Sequence, residues 1–204
     1  MTDLFTELLG GISDFFVTAW YQMLDSFVLN PIAQAIGLLS LILSLISFQQ
    51  KKRAGIMLFQ MLASFSCAVS LIMLGGIAGG LLDLIAFSRT VVFSFRDRDK
   101  WASSPLWLVF YFAVIIAVGI LTGEHGSYVA LFAILGTLFS TVSLWMRNEK
   151  LLRVIALFAG PCWIIYNLYY SSCFGILNEI IAMTSIVIAL IRNSNASEGS
   201  NKKT

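Results

Sequence analysis

Apolar residues in this chain run in long blocks, and short clusters of charged, glycine or proline residues separate the blocks. Seven blocks, at about residues 32–50, 54–75, 77–95, 105–122, 127–146, 150–171 and 174–192, come near the roughly 20 mainly apolar residues that a bilayer-crossing helix needs. Residues 3–29 are patterned differently. There Leu4, Phe5, Leu8, Leu9, Ile12, Phe15, Phe16, Trp20, Leu24 and Phe27 recur at helical spacing, with Asp3, Glu7, Ser13, Asp14, Thr18 and Asp25 mostly elsewhere on the wheel. This predicts an amphipathic helix, too polar to span, lying along the outer membrane surface and ended by Asn30 and Pro31, where the chain turns into the first span. It lacks the basic start and small-residue cleavage site of a secretory signal. Its acidic side suits packing on the bundle or on a second copy of the chain as well as it suits a lipid surface. Residues 193–204 have no apolar pattern and are expected to form a disordered tail.

Composition agrees with the pattern: 58% hydrophobic residues, 12% charged residues and a mean hydropathy of +0.87 exclude an ordinary soluble domain. The fold class expected is an all-α membrane protein of seven transmembrane helices with an N-terminal surface helix. The net charge of +2 is uninformative, but its distribution predicts topology. Lys and Arg cluster in QQKKR, RDRDK, RNEKLLR and the C-terminal tail, whereas GGIAGG, GEHG and SSCFG contain none. Basic loops mark the cytoplasmic side, so the N-terminus is expected outside and the C-terminus in the cytoplasm.

Writing residues 31–96 above 127–192 without a gap, a shift of 179 − 83 = 96, exposes an internal repeat. Ser44 and Ser47 fall over Ser140 and Ser143, Gly79 over Gly175, Asp83 over Glu179 and Arg96 over Arg192. The expected domains are thus a surface helix at 1–30, a triple-helix bundle at 31–96, a linker with the fourth helix at 97–126, a second bundle at 127–192 and the tail at 193–204. Three-span repeats joined by one extra helix face the same way, a 3 + 1 + 3 arrangement known in sugar transporters of the SWEET type.

The segments LSLISFQQKKR, LIAFSR, GPCWIIYN and GILNEIIAMTSIVIALIR resemble the bacterial inner-membrane YgjV family, which belongs with the SWEET, PQ-loop and PnuC-like transporters. The resemblance covers roughly residues 31–193 and leaves the N-terminal helix outside. It implies a transporter-like fold and names no substrate.

Asp83 and Glu179 are the candidate substrate-binding acids. Intramembrane carboxylates cost on the order of 3 kcal/mol at mid-span and usually face a bundle interior or a watery cavity. At equivalent positions they would stand at one height on opposite walls of a central cavity, able to share a proton or to bind a cationic or polyhydroxy solute. The competing reading has each acid serving the positive N-terminal end of its own helix and reaching interfacial water. Asn178 adjoins Glu179, and Gly79 and Gly175 precede the acids by one turn, where a missing side chain permits close approach. In the sixth span Trp163 and Asn167 share a face beside Tyr166, either a platform for a sugar or nitrogenous ring or bundle packing. Tyr169 and Tyr170 are assigned to the interfacial aromatic belt. Pro161 is a candidate rocking point, and Arg89 either reaches the cytoplasmic headgroups or forms an inner gate.

Cys67, Cys162 and Cys173 have no metal-ligand spacing and read as small packing residues, and His125 stands in an outer turn without a second ligand. No phosphate-binding glycine loop, metal set, cofactor motif or nucleophile with a base appears, so neither catalysis nor nucleic-acid binding is expected. The expected partners are the lipid bilayer, a small polar solute of sugar, nucleoside or vitamin type, and a second copy of the chain. The rival class is a non-transporting scaffold or sensor whose acids only hold helices together.

Overall fold

The computed structural model describes residues 2–50, 53–96, 98–122, 128–146 and 148–201. His125, Lys51 and Lys52 lie outside them. Eight helices follow one another: α1 (Thr2–Leu29), α2 (Pro31–Gln49), α3 (Arg53–Met73), α4 (Ile77–Ser94), α5 (Leu106–Leu121), α6 (Val129–Trp145), α7 (Glu149–Tyr169) and α8 (Cys173–Asn201). Each apolar block is one helix of the series α2 to α8. Among the described residues, α4, α7 and α8 are long and apolar enough to cross a bilayer, and Leu58–Met73, Leu106–Leu121 and Val129–Trp145 are shorter apolar helices.

Local chemistry sets the helix ends. Pro31 opens α2, where its missing N–H costs nothing and its fixed φ suits the first helical turn. Asn30, at φ −130°, lies outside either helix, and Val17–Leu29 meets Pro31–Ser47 at 104°. The latter half of α1 therefore lies across the end of α2. The Asn148 side chain caps α7 by accepting from the backbone N–H groups of Lys150 at 2.9 Å and Leu151 at 3.3 Å. Toward the C-terminus, α8 continues through Asn201, past the apolar block ending at Arg192, where composition predicts a disordered tail. No proline stops it there.

Helix ends recur at a constant interval. The starts of α3 and α7 differ by 149 − 53 = 96, their ends by 169 − 73 = 96, and the starts of α4 and α8 by 173 − 77 = 96. The turn before α4 places Gly75 at φ +92°, and the turn before α8 places Ser171 at φ +54°, again 171 − 75 = 96 apart. Serine pays a steric cost in this left-handed region that glycine avoids. Its retention there shows that the surrounding turn dictates the conformation. The turn's hydrogen bonds match too: Gly76 N donates to Leu71 O at 2.8 Å, and Ser172 N to Asn167 O at 2.9 Å.

Packing closes six helices into a ring in the order α2, α3, α4, α6, α7, α8 and back to α2. Helix α5 lies against α4 and α6, and α1 against α2 and α7. A buried core of Leu71, Leu82, Ile115, Ala133, Trp163 and Tyr166 fills one side of the ring. Polarity is inverted relative to a soluble bundle. Ser40, Ser44, Ser47, Ser70, Thr137, Thr141 and Ser143 are buried, while Leu106, Leu121 and Ile188 are among many large apolar residues left exposed. An apolar exterior over a hydroxyl-bearing interior fits a hydrocarbon solvent, in which small polar residues tie helices together. The ties are visible: Ser40 Oγ donates to Ala63 O at 2.8 Å, Ser70 Oγ to Ala33 O at 2.8 Å, and Ser143 Oγ to Leu152 O at 2.8 Å.

Candidate functional site

Asp83 lies 83 − 77 = 6 residues into α4, and Glu179 lies 179 − 173 = 6 residues into α8. At the helical rise both sit about 9 Å from their helix starts. Neither helix carries an acid in its first turn, so neither carboxylate caps its own helix end. In the ring α4 lies between α3 and α6, and α8 between α7 and α2. From these separate positions Asp83 and Glu179 approach closely enough for their charges to interact.

A third group, absent from the sequence-derived set, joins them. The Cys67 thiol, from α3, lies within hydrogen-bonding reach of the Asp83 carboxyl and the Ser40 hydroxyl, and it also feels the charge of Glu179. Asn178 adjoins Glu179 in α8. Asp83 Oδ2 is buried and has no hydrogen-bond partner. A buried acceptor left open is expensive in a protein interior and marks a place where a proton, water or ligand atom belongs. Among the described residues neither carboxylate forms an ion pair.

Beside this cluster, α7 supplies a packed seam rather than an open platform. The Tyr166 hydroxyl accepts from Gly79 N at 2.7 Å. Gly79 is the third residue of α4, one of the N-terminal donors with no partner inside the helix, and the α4 N-cap, Gly76, has no side chain to serve it. A Cβ on Gly79 would lie 2.2 Å from Tyr166 Cε1, so only glycine admits the ring. Trp163 sits edge-on to Tyr166 at 5.9 Å and against Gly136, where a Cβ would be 2.8 Å from its Cδ1. Asn167 donates through Nδ2 to Trp163 O at 2.9 Å, and its Oδ1, buried without a hydrogen-bond partner, faces Gly175. The faces of Trp163 and Tyr166 are thus covered by helix packing in this conformation. Pro161 lies inside the continuous α7 with its ring exposed, away from the seam.

Arg89 does not reach out to headgroups. It is 4% exposed, and its Nη1 donates across to α6, to Thr137 O at 3.2 Å and to Thr141 Oγ1. Just beyond the end of α4, Arg96 Nη1 donates to Trp145 O at 2.6 Å, and its guanidinium lies 3.9 Å over the Trp145 ring. Arg89 therefore fastens α4, and Arg96 the turn that follows it, to α6 at the end of the bundle opposite α1. At the α1 end, the fastenings are Tyr166 on Gly79 and Gln34, whose Nε2 donates to Ser171 O at 2.8 Å.

Cys67 was within reach of sequence reasoning. It stands over Trp163 in the repeat, 163 − 67 = 96, and Ser40 stands over Gly136, 136 − 40 = 96. The small pair Ser40 and Cys67 thus lies 96 residues before the Gly136 and Trp163 contact.

In comparison with known proteins, the family model Imp-YgjV, described as a bacterial inner membrane protein, matches residues 31–197. No curated protein and no solved structure matches the chain.

Proposed function

Because the chain belongs to the Imp-YgjV family of bacterial inner membrane proteins, we propose that it is a transporter that moves a small polar solute by alternating access between two pseudo-symmetric bundles. The bundles are α2–α4 and α6–α8, joined by α5 in a 3 + 1 + 3 arrangement of the SWEET kind. Support comes from the helix ends and left-handed turns repeating at an interval of 96 residues, and from exchanged partners, α4 on α6 and α8 on α2. Basic residues confined to alternate loops orient the α1 face outward and the C-terminus to the cytoplasm.

The observation that carries the reading is the pair Asp83 and Glu179, near enough for their charges to interact, with Asp83 Oδ2 buried and unserved and no ion pair at either acid among the described residues. Two carboxylates beside Cys67 and Asn178 suit proton coupling, or a cationic or polyhydroxy solute such as a sugar, a nucleoside or a vitamin. The bundles are fastened at both ends. Tyr166 on Gly79 and Gln34 on Ser171 close the outer side; Arg89 and Arg96 on α6 close the cytoplasmic side. Transport opens one set at a time. The inner gate is one-sided, because Ser185 occupies the repeat position of Arg89 (185 − 89 = 96).

Thermal stabilisation of the purified protein by sugars, nucleosides, vitamins and amines tests this, in parallel with the Asp83→Asn, Glu179→Gln double variant. The expected result is a stabilising solute whose effect is lost in the variant. Failure of every solute, with a variant that is merely less stable, would assign the carboxylates to a scaffold instead.

A further inference from the structure

Where α1 crosses the end of the bundle it leaves an open cavity of about 480 Å³, lined by Gln22, Asp25, Ser26, Asn30, Tyr169 and Tyr170 among others. Its size falls in the range of small-molecule sites, roughly 300–1,000 Å³. Two hydrogen bonds fix the walls. Gln34 Nε2 donates to Ser26 Oγ at 2.7 Å and to Ser171 O at 2.8 Å, pinning α1, α2 and the turn before α8 to one another.

The lining has a definite charge character. Asp25 is its carboxylate, no lining residue is basic, and the chain from residue 1 to 50 carries four acids and no Lys or Arg. Tyr169 and Tyr170 both line the cavity, their rings stand at 5.1 Å and 77°, and Tyr169 is 48% exposed. Aromatic faces attract cations through their quadrupole, and a neighbouring carboxylate adds charge complementarity. The amides of Gln22 and Asn30 supply donors and acceptors for attached polar groups.

We propose that this cavity is a binding site for an ammonium group, held by Asp25 and the rings of Tyr169 and Tyr170. The site stands apart from the Asp83 and Glu179 cluster and does not depend on transport. Two sources share the chemistry. One is a free organic cation. The other is the ammonium of a lipid headgroup, because the α1 face formed by Val17, Trp20, Tyr21, Leu24 and Val28 is exposed and apolar, as a helix bedded in lipid is.

The test uses the full-length protein in uncharged, lipid-free detergent, titrated with tetramethylammonium chloride and, at equal ionic strength, with sodium chloride. Tetramethylammonium is expected to raise the melting temperature saturably while sodium does not. Asp25→Asn and Tyr169→Leu should each weaken half-saturation about tenfold, the equivalent of 1.4 kcal/mol, whereas Tyr169→Phe and the Asp83→Asn, Glu179→Gln double variant retain it. An unchanged response in Asp25→Asn, or an equal response to sodium, overturns the proposal; so does loss in Tyr169→Phe, because the ring is then not the binding element. Repeating the titration in phosphatidylglycerol nanodiscs with and without phosphatidylethanolamine separates the sources. Competition by phosphatidylethanolamine identifies the headgroup, and an unshifted titration identifies a free cation.

Discussion

Gly79→Ala is a one-carbon probe of how the two bundles meet. Taken alone, alanine in a helix interior stabilises by roughly 0.5–1 kcal/mol relative to glycine. At Gly79, however, the added Cβ would lie 2.2 Å from Tyr166 Cε1, 2.7 Å from Cζ and 2.9 Å from the hydroxyl oxygen. The ring cannot swing away cheaply, because Tyr170 flanks it at 4.8 Å and Trp163 at 5.9 Å, and its side chain is wholly buried. Overpacking of this kind costs about 1–3 kcal/mol, and displacing the ring also costs the Gly79 hydrogen bond, about 1 kcal/mol. The net expectation is a loss of about 1–3 kcal/mol, read by reversible unfolding in mixed detergent micelles. Gly11→Ala is the control: nothing lies within 4 Å of its added Cβ, so it should be neutral or slightly stabilising. Combining Gly79→Ala with Tyr166→Leu removes the obstacle and should recover at least about 1 kcal/mol of coupling. Additivity of the two changes within about 0.5 kcal/mol would refute the contact.

Other parts of the structure give equally direct tests. Arg89→Gln removes charged hydrogen bonds to Thr137 and Thr141 and should cost about 2–4 kcal/mol in the same unfolding assay; a change below about 0.5 kcal/mol would mean that α4 and α6 are not fastened there. Gln34→Leu breaks the bond from α2 to Ser26 of α1 and the bond from α2 to Ser171 in the turn before α8, so limited proteolysis within Val17–Leu29 should accelerate while the rest of the chain stays resistant. Unchanged cleavage would show α1 to be held by other contacts. In a cysteine-free background, Asn30→Cys should react with an impermeant maleimide on cells whose inner membrane is intact, and Ser103→Cys only after lysis; the reverse pattern would invert the proposed orientation.

Much of the framework was readable because a bilayer demands long apolar runs, and glycine, proline and basic residues punctuate them here. The 96-residue offset was visible for a related reason: Asp83 and Glu179 are conspicuous in apolar surroundings, so a fixed spacing between them stands out. Within those helices, nearly uniform hydrophobicity conceals which face turns inward. Cys67 was therefore read as packing, although it meets the Asp83 carboxyl. The sequence leaves Tyr166 open between a ligand platform and bundle packing, and its hydroxyl proves to be occupied by a backbone donor on α4. Tyr169 and Tyr170 were assigned to an aromatic belt, and nothing local to them discloses that they also line a cavity with α1. Such contacts join residues far apart in the chain, and only the assembled ring reveals them.

The central claim is that solute crosses between the bundles at Asp83 and Glu179. Electrical recording from proteoliposomes adsorbed on a solid-supported membrane, challenged by rapid exchange with the same solute panel across several proton gradients, tests it most directly. The account predicts a solute-dependent current in the native protein that disappears in the Asp83→Asn, Glu179→Gln variant while its fold and reconstitution remain intact. A current of equal size in that variant, or none from the native protein with any solute at any gradient, would contradict it.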